Sequence, residues 1–327
     1  MQVDLTHLRV ILARPQGFCA GVVRAVDMVE RALSLYGAPV YVRHQIVHNR
    51  HVVQRLERLG AVFVEKIDDI PSGAVTLFSA HGVARKVETE ASVRGLDVID
   101  ATCPLVRRVH REAQNYARLG YDIVLVGHEG HAEVEGTRGQ VDAPVHVVET
   151  VADVEALQVR DRERVAFVTQ TTLSVLDTAH IVTALRARFP AIVGPDTKDI
   201  CYATQNRQMA AIELARQCQI VLVVGSANSS NAARLSEIAA GAGVESHLID
   251  GADALDQAWF EHRRIAGITA GASTPQHVVN DVVLRLAQWR NLSIEDLPGK
   301  VENVHFRLPE RLMATPAFRR QMAMQTG

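Results

Sequence analysis

Three of the four cysteines in this 327-residue chain stand where they could ligate one metal centre. Cys19, Cys103 and Cys201 are far apart in the sequence, but each directly precedes a segment with helical spacing, and a helix N-terminus stabilises a thiolate. Thiolates select soft metal centres, so zinc, copper(I) and iron–sulfur clusters are the candidates. A 4Fe-4S cluster with three cysteine ligands would leave one iron free to bind a substrate as a Lewis acid. Taken singly, each cysteine could equally be a core residue.

The fourth cysteine, Cys218, has a different setting, because it ends a helical segment just before the apolar stretch 220–224. A closed structural zinc site needs four ligands, and no fourth thiolate occupies a position comparable to the other three. We therefore interpret Cys218 as a small buried hydrophobic side chain.

Polar corners at the ends of predicted strands could bind an anion. Where a strand ends and a helix begins, side-chain donors and free backbone N–H groups point at the same place. Ser, Asn and Thr at such positions are also ordinary helix N-caps, which need no ligand. Several such corners contain a histidine, which can donate a hydrogen bond whether neutral or charged. Together they favour a pocket for a phosphate or diphosphate. The residues concerned are His48, Asn49, His81, His131, Ser229, Ser230, Asn231, Ser273 and Thr274.

Glu133 is a carboxylate within one of these corners, two residues after His131. A carboxylate enclosed near a cluster could hold or relay a proton, because desolvation and nearby anions both raise its pKa. A glutamate in the first turn of a helix, facing water, explains the same position equally well. The residues alone leave both interpretations open.

A threefold repeat of helix, strand and polar corner would position these groups. The first corner follows its cysteine at nearly the same separation each time: Cys19 with His48, Cys103 with His131, and Cys201 with Ser229. Short strands that alternate with helices indicate parallel α/β layers, in which ligands bind beyond the carboxyl ends of the strands. We predict three similar α/β units with small, mostly parallel sheets, arranged pseudo-threefold so that the three cysteines converge.

The predicted division of the chain has four parts. Residues 1–103 form the first unit, with the N-terminal strand and Cys19, residues 104–197 the second, and residues 198–290 the third. Residues 291–327 are predicted as a C-terminal extension, and 300–327 match no motif that we can use.

Composition and missing motifs exclude several function classes. With 35 Lys+Arg against 37 Asp+Glu the formal charge is −2, which gives no basic surface for nucleic acid. No apolar stretch approaches the roughly 20 residues of a membrane helix, and the first residues lack the apolar segment of a signal peptide, so we expect a cytoplasmic location. Neither a P-loop nor a Rossmann glycine motif is present, which disfavours nucleoside triphosphates and dinucleotides.

Eight short motifs follow one another along the chain: Gly17-Phe18-Cys19-Ala20-Gly21-Val22, Val47-His48-Asn49, Ser79-Ala80-His81-Gly82-Val83, Ala101-Thr102-Cys103-Pro104-Leu105-Val106, Thr169-Gln170-Thr171-Thr172-Leu173-Ser174, Ile200-Cys201-Tyr202-Ala203-Thr204, Asn228-Ser229-Ser230-Asn231 and Thr269-Ala270-Gly271-Ala272-Ser273. In this order, and from about Val10 to Leu286, the chain resembles the 4-hydroxy-3-methylbut-2-enyl diphosphate reductases, the last enzymes of the methylerythritol phosphate route to isoprenoids. Two positions depart from the family's usual pattern: Ala132 stands in place of a proline, which could change how rigidly Glu133 is held, and Gln205 in place of a threonine.

The resemblance implies a fold, a cofactor and a reaction. Three α/β units would surround a 4Fe-4S cluster held by Cys19, Cys103 and Cys201, and the iron without a cysteine would bind the substrate oxygen. The enzyme would remove the C4 hydroxyl of (E)-4-hydroxy-3-methylbut-2-enyl diphosphate to give isopentenyl and dimethylallyl diphosphate. Glu133 would supply the proton, with His131 and Thr171 beside the hydroxyl and also binding substrate. The residues implied for the diphosphate are His48, His81, Ser229, Ser230, Asn231 and Ser273.

A protein electron donor such as ferredoxin or flavodoxin is implied too, because the chain has no flavin or nicotinamide motif of its own. Two other classes of function stay open from the residues. One is a non-enzymatic iron–sulfur protein, either an electron carrier or a redox sensor, whose corners bind an anionic effector. The other is a zinc-dependent hydrolase of a phosphorylated substrate that uses His131 and Glu133.

Overall fold

The computed structural model describes residues 7–195 and 199–313, which form an α/β protein. The strands are β1 (His7–Ala13), β2 (Val40–Arg43), β3 (Ala61–Val64), β4 (Val75–Phe78), β5 (Asp97–Asp100), β6 (Asp122–Val126), β7 (Val145–Val148), β8 (Val165–Thr169), β9 (Ile220–Val224), β10 (Glu245–Ile249), β11 (Ile265–Ala270) and β12 (Asn291–Leu297). The helices are α1 (Ala20–Tyr36), α2 (Arg50–Arg58), α3 (Arg85–Val93), α4 (Pro104–Arg118), α5 (Ala132–Arg138), α6 (Val151–Ala156), α7 (Val175–Arg188), α8 (Tyr202–Gln217), α9 (Ser230–Gly241), α10 (Gln276–Trp289) and α11 (Glu310–Met313). Short 3₁₀ turns cover Ile67–Asp69, Ala252–Ala254 and Gln257–Phe260.

The strands make three small sheets, in the orders β3-β2-β4-β5, β7-β6-β8 and β10-β9-β11-β1-β12. Every strand pairing that the described residues form within these sheets is parallel. Strands β6, β8 and β9 are almost uninterrupted apolar runs buried along their whole length, as helices on both faces of a parallel sheet require. The predicted fold class of three α/β units with small parallel sheets is confirmed.

The segment before each predicted metal-ligand cysteine pairs with the sheet of the preceding unit. β5 precedes Cys103 and pairs with β4, while an isolated bridge between Ala166 and Val193 precedes Cys201. β1 precedes Cys19 and pairs with β11, in the sheet of the last unit. The beginning of the described chain is therefore joined by backbone hydrogen bonds to its last unit.

This pairing differs from the predicted division at both ends of the chain. The sequence interpretation assigned the N-terminal strand to unit 1–103 and all of 291–327 to an extension, whereas β1 and β12 pair in the third sheet from His7 and Asn291 to Ala13 and Leu297. The local sequence shows that a strand forms but not which strand it pairs with. Here β1 pairs with the backbone N–H and C=O groups of β11. The remaining boundaries stay predictions, and 197/198 falls outside the described residues.

A buried arginine joins three segments of the chain close to Cys19 and Cys201. Arg207 on α8 is 1% exposed, and its guanidinium donates to the backbone oxygen of Gly17 from Nε at 3.1 Å and from Nη2 at 2.8 Å. Its Nη1 donates to Ala203 O at 2.9 Å and to Glu302 Oε1 at 3.0 Å. The residues before Cys19, the start of α8 and the C-terminal segment are thus tied together.

The C-terminal segment also packs against the first unit. Leu312 of α11 is fully buried in the core cluster built around α1, and Arg311 Nη1 donates to Asp97 Oδ1 at 2.7 Å. Among the described residues, no helix has the length and apolar character needed to span a bilayer.

Candidate functional site

Each predicted metal-ligand cysteine is the N-cap residue of a helix, which places its sulfur at the positive end of the helix dipole. Its backbone N–H donates to a carbonyl oxygen in a polar corner. The N···O distances are 3.1 Å from Cys19 to Ala272, 2.9 Å from Cys103 to Ala80 and 3.1 Å from Cys201 to Thr171. The three acceptors are each the second residue after the end of β11, β4 or β8, so the three units present their cysteines in the same way.

The cysteine sulfurs crowd around the start of α1. A Cβ atom placed on Gly21 would lie 2.8 Å from Cys103 Sγ and 3.8 Å from Cys19 Sγ, so only glycine leaves room there. Burial, reinforced by the neighbouring Cys19, raises the pKa of Cys103 to about 12 and that of Cys201 to about 11. Such thiols ionise only when a cationic centre offsets the loss of solvent, as a metal ligand set does.

One cavity brings together the three cysteines and the other residues that the family resemblance implies for the site, whereas Asn49 and Thr274 of the predicted polar corners are not in its lining. Its lining includes the three cysteines, three histidines, the carboxylate and the hydroxyl and amide side chains of the corners: Cys19, His48, His81, Cys103, His131, Glu133, Thr171, Cys201, Ser229, Ser230, Asn231 and Ser273. Cys218 lies elsewhere, 8% exposed in the apolar core beneath the third sheet, beside residues such as Leu214 and Val221. Its placement agrees with the interpretation that it is a packing residue.

Glu133 lies at the floor of the cavity and is 2% exposed. Its Oε1 accepts from the Thr171 backbone N–H at 2.7 Å and its Oε2 from the Thr171 hydroxyl at 3.0 Å. Burial raises the pKa of Glu133 to about 7, against the lowering effect of these two bonds. The water-facing alternative is therefore wrong for this glutamate, which is a buried acid able to exchange a proton near neutral pH.

His131 is held next to Glu133 as the N-cap of α5. Its Nδ1 accepts from the Glu133 backbone N–H at 3.1 Å, so the proton of the neutral ring lies on Nε2. Burial, with the charges of His128 and His44 contributing, lowers the pKa of His131 to about 4. The ring is neutral at physiological pH and can donate from Nε2.

The other two cavity histidines stack on each other beside His131. The rings of His48 and His81 are stacked with centroids 4.1 Å apart, and His131 stands edge-on to His48 at 5.4 Å. Burial and the neighbouring imidazoles lower the pKa of His48 to about 3 and hold that of His81 well below its usual value. A polyanion bound here would reverse the effect, because an adjacent negative charge favours imidazolium.

Several buried donors beside these rings have no hydrogen-bond partner. They include His48 Nδ1, Asn49 Nδ2 and Asn231 Nδ2. The oxygen of the Asn231 amide accepts from the Ala272 backbone N–H at 2.9 Å, which fixes the amide with its NH₂ group free. Buried polar groups are seldom left unpaired, so these donors indicate a ligand. Ser229 caps α9, whose first backbone N–H groups add an anion site at the same place.

With this geometry established, the chain can be compared with known proteins. The family described as "LytB protein" matches residues 10–287. The chain belongs to this family.

Relatives that match most of the chain are named as diphosphate reductases. The 4-hydroxy-3-methylbut-2-enyl diphosphate reductase of Bordetella pertussis is 56% identical over 311 residues, which cover 95% of this chain and 96% of the relative. The Burkholderia pseudomallei reductase is 54% identical over 305 residues, or 93% of this chain and 97% of the relative. The solved E-1-hydroxy-2-methyl-but-2-enyl-4-diphosphate reductase of Plasmodium falciparum is 37% identical with a TM-score of 0.89, covering 98% of this chain and 100% of that one.

Sequence reasoning missed three residues of this LytB site. Thr204 contacts Cys201 Sγ through its backbone N–H at 3.4 Å and its hydroxyl at 3.1 Å. Gly21 lies in the motif around Cys19, but only the folded structure shows that a side chain there would collide with the cysteine sulfurs. The ring centroid of His44 lies 6.1 Å from that of His81, and no local sequence pattern pointed to this residue.

Proposed function

We propose that this LytB protein reduces (E)-4-hydroxy-3-methylbut-2-enyl diphosphate to isopentenyl and dimethylallyl diphosphate. The observation that carries the proposal is the single cavity in which three cysteines from three units face a buried acid and a set of unpartnered donors. The names of relatives that match nearly the whole chain at above half identity support it. The substrate needs all three features: a redox centre, a proton source and an anion pocket.

A 4Fe-4S cluster bound by Cys19, Cys103 and Cys201 fits the residues present. The three helix N-termini favour the thiolates and an anionic cluster, and Gly21 leaves the space that the sulfurs require. When bound, the cluster supplies electrons and one iron that lacks a cysteine and can accept the substrate oxygen. The protein's part is to hold the substrate in one orientation and to deliver protons.

The diphosphate is proposed to bind on the side of His48, His81, Asn231 and the start of α9. Free amide and imidazole donors and the first N–H groups of α9 all suit phosphate oxygens. Ser229, Ser230 and Ser273 line the same part of the cavity, and their hydroxyls can add donors. Because the free histidines are neutral, binding of the polyanion would be accompanied by proton uptake.

Proton delivery is assigned to Glu133, with Thr171 and His131 as its partners. Thr171 fixes both carboxylate oxygens, so the acid can present its proton in one direction only. Loss of the C4 hydroxyl as water consumes one proton, formation of the new C–H bond consumes a second, and two electrons are consumed in all. A buried acid whose pKa lies near 7 can be reloaded between turnovers.

The electrons are proposed to come from a small donor protein such as ferredoxin or flavodoxin. The chain carries no motif for a nucleotide or flavin that could supply them. Because the substrate is a small soluble anion, we propose a cytoplasmic location.

The direct test uses anaerobically prepared protein with its cluster intact and reduced methyl viologen as electron source. We expect the hydroxylated diphosphate to be consumed and both products to form. The reduced dye should give up two electrons for each product molecule. Full cluster loading without turnover would instead favour a carrier or sensor. Zinc in place of iron and acid-labile sulfide, together with phosphate release, would favour the hydrolase and defeat the proposal.

A further inference from the structure

A group of three histidines at the outer end of the cavity has the arrangement of a metal site. The potential ligand nitrogens of His44, His48 and His81 all lie within 4.8 Å of one another. His48 and His81 line the cavity that also holds the cysteines, and His44 lines a second cavity that shares His48 and His131 with the first. Of the three histidines, His44 is therefore the one outside the cysteine cavity.

Neighbouring groups orient two of these rings and leave a nitrogen of each available. His44 Nδ1 lies 2.8 Å from Glu65 Oε2, and His81 Nδ1 lies 3.3 Å from Ser79 Oγ. In both rings Nε2 is the remaining atom, and in His48 the buried Nδ1 has no partner at all. A carboxylate on the far nitrogen of a histidine is the usual second-shell partner of a metal ligand, because it fixes the tautomer and increases ligand basicity.

The backbone of His44 adds an independent sign of a functional constraint. In residues 7–195 and 199–313, His44 is the one non-glycine residue with positive φ, at 62°. A side chain disfavours this left-handed conformation, and such strain persists mainly where the surrounding structure needs it. Here it turns the imidazole away from the end of β2 and toward His48 and His81.

We propose that His44, His48 and His81 bind a divalent transition-metal ion of borderline softness, with Zn²⁺ the best match, and that this ion and the substrate's diphosphate exclude one another. Three neutral imidazoles and one water complete a tetrahedral site. Zinc–nitrogen bonds of about 2.0–2.1 Å require nitrogen separations of about 3.4 Å, so the nitrogens need to close by about an ångström. An imidazole binds a metal in its ring plane, so zinc binding also requires the stacked rings of His48 and His81 to rotate out of their stack. The exclusion rests on the proposed function, because His48 and His81 are the two rings assigned to the diphosphate.

The test begins with zinc binding to the anaerobic, cluster-loaded protein, measured without any turnover. Free Zn²⁺ is fixed with a nitrilotriacetate buffer, bound zinc is counted after dialysis, and zinc-edge X-ray absorption identifies the ligands. We expect one zinc per chain with nitrogen and oxygen ligands near 2.0 Å. Zinc bound through sulfur near 2.3 Å would mean exchange into the cysteine site and would overturn the proposal.

Two variants weaken the proposed zinc site and leave the proposed catalytic groups Glu133, Thr171 and His131 unchanged. His44→Asn deletes the imidazole but keeps a residue that tolerates positive φ, and we expect zinc affinity to fall at least about tenfold. Glu65→Gln, at an exposed side chain, should cause a smaller loss. The matched control is His277→Asn at an exposed position on α10, which should bind zinc as the wild type does. Equal affinity in wild type and His44→Asn would reject the site, with unchanged melting temperatures showing that the variant is folded.

Kinetics then test the exclusion separately. At rising free Zn²⁺ the KM for the hydroxylated diphosphate should increase while kcat stays constant, and His44→Asn should abolish the increase. A fall in kcat with constant KM would refute the exclusion. If the wild type bearing its cluster shows no reductase turnover, the proposed function fails, while the absorption spectrum still decides whether the three histidines bind zinc.

Discussion

The two sides of the cavity are built differently. On the acid side, Glu133 and Thr171 are buried and satisfy each other through two hydrogen bonds. On the anion side, His48 and Asn231 bury donor atoms that have no partner. Side chains whose hydrogen bonds are complete hold one geometry before the substrate binds. Buried donors without a partner destabilise the folded protein until a ligand supplies acceptors. The comparison indicates that one side is organised for proton transfer and the other for binding.

Removing one of the three proposed cluster ligands should produce the largest effect, because the proposed reaction needs the redox centre as well as both sides of the cavity. We expect Cys201→Ser to lose most of its iron and sulfide and all measurable reductase turnover, since the serine hydroxyl is a poor ligand for this centre. Iron and sulfide analysis together with the methyl viologen assay checks both outcomes. Full iron content with normal turnover would remove Cys201 from the ligand set.

The acid side should control kcat. Glu133→Gln keeps the shape and the acceptor oxygen of the side chain but has no acidic proton, so we expect kcat to fall by about 10²–10⁴ with little change in KM. The cluster's visible absorption should be retained. Turnover within a few-fold of the wild type would show that another group delivers the proton and would remove the distinction between the two sides.

The anion side should control KM. Asn231→Asp retains an oxygen for the Ala272 N–H but replaces the free donor with a negative charge. A hydrogen bond to a charged group contributes about 1.5–3 kcal/mol, so we expect KM to rise at least about tenfold, with a smaller change in kcat. The control Asn280→Asp, exposed on α10, should leave KM unchanged. An unaltered KM in Asn231→Asp would place the diphosphate elsewhere.

The pH dependence should separate the two sides within one protein. Burial raises the pKa of Glu133 from its ordinary value of 4.5 to about 7, so the acid is protonated below pH 7 and loses its proton above it. The wild-type kcat should therefore fall about tenfold per pH unit above 7. The residual turnover of Glu133→Gln should lack this decline. If both profiles decline alike, the ionisation belongs to a different group.

Cys218→Ala should have the smallest effect and tests the distinction among the cysteines. We expect iron content and turnover to stay at wild-type values, with a loss of about 1 kcal/mol in the free energy of unfolding from the altered packing. Denaturant unfolding measures that loss. A drop in iron content would contradict the assignment of Cys218 to the apolar core.

Much of this arrangement could be predicted from local sequence. Strands β4 and β6 have the bounds that their apolar runs and the following polar corners predict. The prediction that the three cysteines stand at helix starts is confirmed. Asn49 and Ser229 are N-caps as expected, although capping alone gave no evidence of a ligand. These features depend on neighbours within a few residues, which a single sequence displays.

The rest depended on contacts between distant segments. The pairing of β1 with β11 could not be read locally, because any parallel edge would accept the same apolar strand. The two interpretations of Glu133 differ only in burial, which Thr171 and the surrounding units impose. His44 was missed because its approach to the other rings depends on an unusual backbone angle.

The most direct test of the account is Mössbauer spectroscopy of the anaerobic wild-type protein, with iron and acid-labile sulfide counted on the same sample. We predict about four iron atoms and four sulfides per chain, with one iron whose signal differs from the others and shifts when substrate is added. A zinc-containing protein without sulfide, or a cluster whose iron signals all stay unchanged when substrate is added, would contradict this account.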